Sequence, residues 1–267
     1  MFLFQNFTKK IMFLKRKIDK NFFDVNGFVL LDTSLSYNNI FFNLITDIEK
    51  SLSSELKNPA LKKFGGYLMG NFGINQGPYA KKLYKIVFEK EFIKYFEHLT
   101  SKKIELFDIN YGGNLVLPKK GIQHFHTDGK YENEMYMISV ATEDITLSNG
   151  PTEICAGSHL KSMSFHEFFF SKKRKQKLLM KKGQILIRKH NLWHRGTKNL
   201  SDKQRLLLSF VMIPKWRKIK IVPISSKFEI LPNFFKSNLL GNMQEFFYVK
   251  LFTIHTVLKI LKSILNK

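Results

Sequence analysis

The sequence predicts a mainly β fold, a sandwich, barrel or jelly roll buttressed by helices on its N-terminal side. From Ile104 onward the chain breaks into short apolar runs separated by Gly, Pro and Asn at fairly even spacing, the pattern of antiparallel sandwiches and barrels. Segments of helical period precede these runs instead of alternating with them, which argues against a doubly wound parallel sheet. The 267 residues (31.4 kDa) suit one domain with a well-buried core and would crowd two.

Residues 27–32 (Gly-Phe-Val-Leu-Leu-Asp) read as a short buried strand. A helix is expected from Asn38 to Leu56, because Ile40, Leu44, Ile45, Ile48 and Leu52 recur at three- and four-residue steps. A second is expected from Pro78 to Leu99, with Pro78 suited to the first turn. The strand-like runs are Ile104 to Tyr111, Ile122 to Asp128, Met135 to Ala141, Thr152 to Cys155, Gln184 to Lys189 and Arg205 to Ile213. Near the C-terminus Phe247, Leu251, Ile254, Leu258, Leu261 and Leu265 form an apolar helical stripe, with Lys259, Lys262 and Lys267 on the other side. Such a stripe is expected to pack on its own domain or a partner, or else to lie on an anionic membrane surface. The organisation expected is a basic N-terminal extension (1–21), a catalytic domain (22–215) and a basic C-terminal extension with an amphipathic helix (216–267).

Hydrophobic residues make up 44% and charged residues 24%, which excludes a disordered or low-complexity chain. The net charge of +23 points at first to nucleic acid, anionic lipid or an acidic substrate. Of the 44 basic residues, however, only 6 are Arg, whereas phosphate readers favour the forked guanidinium. The charge also concentrates in residues 9–20, 171–182, 215–227 and 245–267, leaving the rest nearly neutral. The run Lys172-Lys173-Arg174-Lys175-Gln176-Lys177 is expected to be a solvated loop, or a funnel for an anionic substrate. It has no interleaved aromatics, and no RNA-binding motif accompanies it, so nucleic acid is not expected as a partner. The single cysteine, Cys155, excludes an internal disulfide and is expected to be a small buried hydrophobe. No apolar run is long enough to span a bilayer, and the N-terminus turns polar at Gln5; the expectation is an unprocessed cytoplasmic chain.

The chemistry-bearing stretch is Gln123-His124-Phe125-His126-Thr127-Asp128. On a strand His124, His126 and Asp128 would share one face, and a divalent metal would satisfy such groups in an apolar interior. Downstream, Leu192-Trp193-His194-Arg195-Gly196 follows a hydrophobic strand, and Arg205 heads another. Two histidines and one carboxylate suit non-heme iron and leave open positions for cosubstrate and oxygen. Arg205 could then grip the distal carboxylate of a keto acid bidentately. A His124/His126 pair, as in cupins, is the alternative ligand set, although the downstream spacing that cupins require is not met.

Between these motifs lies Asn149-Gly150-Pro151-Thr152, followed by Gly157-Ser158-His159. With the His-x-Asp before it, Trp193-His194-Arg195-Gly196 after it and the opening Asn26-Gly27-Phe28-Val29-Leu30-Leu31, the sequence resembles the phytanoyl-CoA dioxygenase family of iron(II)- and 2-oxoglutarate-dependent oxygenases over residues 22–215. The resemblance implies a double-stranded β-helix, with His126, Asp128 and His194 as iron ligands and Arg205, eleven residues beyond His194, as the 2-oxoglutarate clamp. Asn110 and Ser209 are further candidate supports for the cosubstrate. Phe125 stands where many members have Trp, Ala156 where Pro is common, and Leu207 where a supporting polar residue sometimes occurs. The presence of Asp128 favours hydroxylation of a small molecule over halogenation, with dioxygen consumed and succinate and carbon dioxide formed. A catalytically idle barrel serving as a binding or scaffold protein is the competing expectation. His124 is expected to line the pocket or support the site, His159 to be structural and His190 to be exposed.

Overall fold

Strand β9 (Arg205–Pro214) is the spine of the structure, a computed structural model that describes residues 20–63, 66–129, 134–221, 223–232, 235–236 and 238–265. Apart from Lys20 and Asn21, the expected extension 1–21 lies outside the described residues. Strand β9 pairs with β3 (Phe107–Val116) on one side and β4 (Tyr136–Ala141) on the other. Beyond β4 come β7 (Ile185–Lys189) and β1 (Phe28–Leu31); beyond β3 come β2 (Asn71–Asn75) and β10 (Glu229–Leu231), completing a seven-stranded antiparallel sheet. Nine of the ten β9 residues are buried, because both faces of this central strand are covered. Leu206, Leu208, Phe210 and Met212 face the helices, so by the two-residue period Arg205, Leu207 and Ser209 face the opposite side.

On that opposite side lies a three-stranded antiparallel sheet, β6 (Lys175–Leu178), β5 (Thr152–Cys155) and β8 (His194–Gly196). Phe28, Ala141, Leu186 and Leu207 of the large sheet pack with Ile154 and Leu178 of the small one. The fold is a jelly roll of the double-stranded β-helix type, mainly β with helices added on its N-terminal side. Its two sheets face each other without closing into one continuous ladder.

Helices α1 (Lys20–Asn26), α2 (Asn39–Leu56), α3 (Tyr79–Val87) and α4 (Lys90–Thr100) cover the outer face of the large sheet. Asn38 caps α2, its side chain accepting from the amides of Ile40 and Phe41. The single helix expected over 78–99 is broken at Phe88 and Glu89. The apolar phase explains the break. Leu83, Ile86 and Val87 form one stripe and Phe92, Tyr95, Phe96 and Leu99 another, out of register in a continuous helix, so only a break turns both to the core. Phe88 fills the corner, its ring 4.4 Å from Tyr84 and 5.0 Å from both Phe92 and Phe210. Each such buried ring contributes about 1.5–3 kcal/mol of transfer free energy.

Four expectations need correction. Residues 122–128 form no strand, only a single bridge at His126. The basic run is not wholly a loop: Lys175–Leu178 is the edge strand β6, where exposed lysines discourage further pairing. His190 is buried. The C-terminal helix is a pair, α6 (Leu239–Lys250) and α7 (Phe252–Leu265), and its apolar stripe faces solvent; the half-polar side of α7 docks instead, against the segment 124–125 and α5 (Phe165–Phe169). Cys155 is buried, as expected. Among the described residues no helix is long and apolar enough to cross a membrane.

Candidate metal centre

His126 and His194 stand opposite each other in one antiparallel bridge, each amide donating to the other's carbonyl at 3.0 Å. That bridge joins the irregular segment 121–128 to the edge of the small sheet, where β8 also pairs with β5 through Ile154 and His194. The loop behind His194 is fixed by Trp193, whose amide donates to Ser158 Oγ (2.9 Å) and whose ring stacks on Phe168 (4.2 Å, 5°). The Asp128 amide donates to the carbonyl of His190 (3.2 Å), which carries the carboxylate to the same place. His126, Asp128 and His194 thus offer three ligand atoms all within 4.8 Å of one another.

Backbone contacts set the tautomers. His126 Nδ1 lies 2.8 Å from the His124 carbonyl and His194 Nδ1 lies 3.0 Å from the Leu192 carbonyl. A carbonyl only accepts, so a ring that holds one proton carries it on Nδ1 and turns an unprotonated Nε2 toward Asp128, that of His194 also lying 3.2 Å from Arg188 Nη2. Those Nε2 atoms lie 3.5 and 3.4 Å from the Asp128 oxygens. Burial opposes ionisation of Asp128, but the Arg188 guanidinium beside it outweighs burial and holds the carboxyl well below its usual range. Burial and the Arg188 charge hold the His194 imidazole neutral, far below its ordinary value. Two imidazole lone pairs and a carboxylate converging on one point form a donor set that fits a divalent cation, and the second-residue carbonyls supply the outer support such ligands need.

Arg188, which the sequence reading missed, belongs to this centre. Its Nη2 donates to Asp128 Oδ2 (2.5 Å) and lies 3.2 Å from His194 Nε2 and 3.3 Å from Met137 Sδ. The available signal was a guanidinium on an otherwise apolar strand, Ile185-Leu186-Ile187-Arg188, at the inward phase shared with Leu186; a buried charge there requires a partner.

Arg205 is fully buried at the head of β9, donating through Nη2 to the Gly150 carbonyl (2.8 Å), while its Nε is a buried donor with no partner. Burial lowers its pKa to about 10, opposed by the nearby Glu143. Asn71 Nδ2, on β2 in the same row across the sheet through Val116, is likewise an unpartnered buried donor. The interior beside Arg205 thus holds two buried donors with no partner among the described residues, which an anion would satisfy. Ser209 is buried on the same face, and Asn110 lies one row further, opposite Val211 and level with Met137 and Arg188.

The structure brings His126, Asp128 and His194 together and leaves His124 out. Both ring nitrogens of His124 are taken up by the C-terminal helices, Nδ1 with Thr256 Oγ1 (3.2 Å) and Nε2 with the Tyr248 carbonyl (3.3 Å), and its ring stacks on Phe252 (3.7 Å). The cupin-type His124/His126 pair is therefore not formed. His159 is structural, as expected: its Nε2 meets the Asp24 carbonyl at 2.9 Å and its ring closes over Gly27, where a Cβ would collide with it.

The model of the phytanoyl-CoA dioxygenase family matches residues 101–207, which span all three converging side chains and Arg205. That segment is phytanoyl-CoA dioxygenase-like. Solved structures share the fold at low identity. EvdO2 from Micromonospora carbonacea var. aurantiaca aligns with a TM-score of 0.56 and 14% identity, covering 76% of this chain and 94% of its own. The epimerase SnoN in complex with Fe3+, alpha ketoglutarate and nogalamycin RO gives 0.55, 11%, 79% and 96%, and EctD from S. alaskensis with 2-oxoglutarate and 5-hydroxyectoine gives 0.52, 13%, 78% and 82%. No curated protein matches the sequence.

Proposed function

We propose that this protein is an iron(II)- and 2-oxoglutarate-dependent dioxygenase that hydroxylates a small molecule. The observation that carries the reading is the convergence of two imidazole Nε2 atoms and an ionised carboxylate at one point, with a buried arginine that has a donor to spare on the same inner face. His126, Asp128 and His194 would hold iron(II), and Arg205 would hold the distal carboxylate of 2-oxoglutarate, with Ser209 and Asn110 as further contacts. Iron bound there supplies the redox chemistry that couples dioxygen reduction and 2-oxoglutarate decarboxylation, giving succinate and carbon dioxide, to oxidation of the substrate. The chain contributes the rest. The carbonyls of His124 and Leu192 keep both imidazoles in the ligating tautomer, and Arg188 keeps Asp128 ionised and its Oδ2 engaged. The two sheets exclude water from the Arg205 side. The neighbours SnoN, solved with Fe3+ and alpha ketoglutarate, and EctD, solved with 2-oxoglutarate, support the same cofactors. The catalytic unit is residues 22–215, to which β10 adds an edge strand.

One observation favours an idle barrel instead: Arg188 already neutralises Asp128 without a metal. Anaerobic titration with iron(II) and 2-oxoglutarate separates the two. The enzyme gives the weak visible charge-transfer band of the chelate, lost in His126→Ala; wild type without the band sinks the enzyme reading. Substrate-stimulated succinate formation then screens for the small molecule that is hydroxylated.

A further inference from the structure

Helix α7 is packed inside out. Its Phe252, His255, Thr256, Lys259, Ile260 and Ser263 lie against the domain, where Thr256 meets His124, Lys259 donates to the Phe125 carbonyl (3.1 Å) and Ser263 meets His166. Its opposite face carries Ile254, Val257, Leu258, Leu261, Ile264 and Leu265, each 48–83% exposed. An amphipathic helix on a globular domain ordinarily buries its apolar stripe; this one buries the more polar face and presents the stripe outward.

Helix α6, which packs against α7, is likewise apolar on its outside. Gly241 and Glu245 are its buried positions, Glu245 accepting from the Met69 amide (2.7 Å), whereas Leu239, Leu240, Met243, Phe246 and Phe247 are 45–78% exposed. Helix α5 packs on α7, and Phe169 at its end and Phe170 after it are exposed and followed by exposed Lys172, Arg174, Lys175 and Lys177. Together these side chains form an outward apolar surface of a kind soluble monomers rarely leave bare.

The charge on this surface selects its occupant. Across residues 239–265 the only acidic side chain is Glu245, and it is buried; the exposed charges are Lys250 and Lys262, beside the basic run that follows α5. Two copies joined through this face would set lysine against lysine. An anionic bilayer complements both halves, apolar side chains entering the headgroup boundary while lysines meet acidic headgroups. No helix among the described residues can cross a membrane, so the contact is peripheral.

We propose that the outward faces of α6 and α7, with the exposed end of α5 and the basic run after it, dock the protein on an anionic lipid bilayer. This inference is independent of the oxygenase reading, since none of these side chains belongs to the metal centre.

The test is co-sedimentation of the full chain with phosphatidylcholine vesicles, with and without about one-third phosphatidylserine. The wild type sediments with the anionic vesicles and is released by salt. Leu258→Glu combined with Leu261→Glu lowers the bound fraction at least about tenfold, as burial of two glutamates at the interface demands. Lys172→Glu combined with Arg174→Glu, which leaves every helix untouched, weakens vesicle binding at least about 25-fold, since each lysine or arginine near an anionic surface is worth roughly fivefold and two are lost. Unchanged far-ultraviolet circular dichroism shows that the variants fold. Absence of sedimentation by the wild type, or binding indifferent to both double variants, overturns the proposal. So does a dimer in light scattering that Leu258→Glu/Leu261→Glu dissociates while vesicles go unbound, which would assign the face to a second copy.

Discussion

Arg188 donates to Asp128 at 2.5 Å, an ion pair in which the arginine side chain is 5% and the aspartate 24% exposed. Removing one partner of such a pair leaves an uncompensated charge, which costs about 3–5 kcal/mol. Arg188→Met is therefore expected to lose roughly 3 kcal/mol in chelator. A divalent cation at the same carboxylate replaces the missing charge, so manganese(II) should narrow the gap between variant and wild type. Thermal melts with chelator and with manganese check this; a gap that the metal leaves unchanged would remove Arg188 from the centre.

The same pair separates two ligand variants that activity alone would not distinguish. His126→Ala removes a half-buried neutral ring and its bond to the His124 carbonyl and should lose about 1 kcal/mol, the centre of the range for point substitutions. Asp128→Ala strands the buried Arg188 and should lose about 3 kcal/mol. Both abolish metal binding. Urea denaturation paired with a metal titration reads the two effects independently.

Arg205→Lys keeps a positive charge but loses the fork and its spare Nε donor. Losing a hydrogen bond to a charged partner is worth about 1.5–3 kcal/mol, so the 2-oxoglutarate KM should rise about 10- to 100-fold. Iron(II) affinity without cosubstrate should be unchanged. A parallel loss of metal affinity would mean that the substitution disturbed the centre instead of the clamp.

Phe210→Ala tests the spine. Its ring is fully buried between Phe88 (5.0 Å), Tyr111 (5.8 Å) and Tyr84 (6.3 Å), on the strand that carries Arg205. A loss of about 3–5 kcal/mol in chemical denaturation is expected.

Stability should fall in mild acid through His159, whose pKa burial lowers from 6.5 to about 4. The folded state keeps this ring neutral. Below pH 6.5 the unfolded chain therefore binds a proton that the folded chain refuses, and stability declines until about pH 4. By pH 5 the loss from this group is about 2 kcal/mol. In His159→Gln the decline between pH 6.5 and 5 should be shallower by that amount.

What could be read in advance depended on whether local pattern or distant contact sets the backbone. Helix α2 was legible to within one residue because Asn38 caps it and its apolar period is unbroken. Strands β5 and β9 were legible because their apolar runs are bounded by turn residues. Edge strand β6 was hidden because Lys-Gln-Lys-Leu looks solvated, which is how an edge remains unpaired. His126, Asp128, His194 and Arg205 were legible as motifs, yet the backbone at 122–128 was not, since one bridge and side chains from elsewhere shape it. Arg188 carried no motif. Only its partner across the fold explains it.

The segment bearing His126 and Asp128 has almost no local scaffold, and this sets when the centre can exist. Its anchors run from Asp128 to Arg188, 60 residues away, and from Phe125 to Lys259, 134 residues away. Contacts of such separation form slowly, after helices and hairpins whose partners are close along the chain. During folding the metal centre is thus a late arrival, closed only when α7 settles against His124. A chain stopped before that helix would hold both sheets, with His194 on β8, and still present His126 and Asp128 on a loose segment.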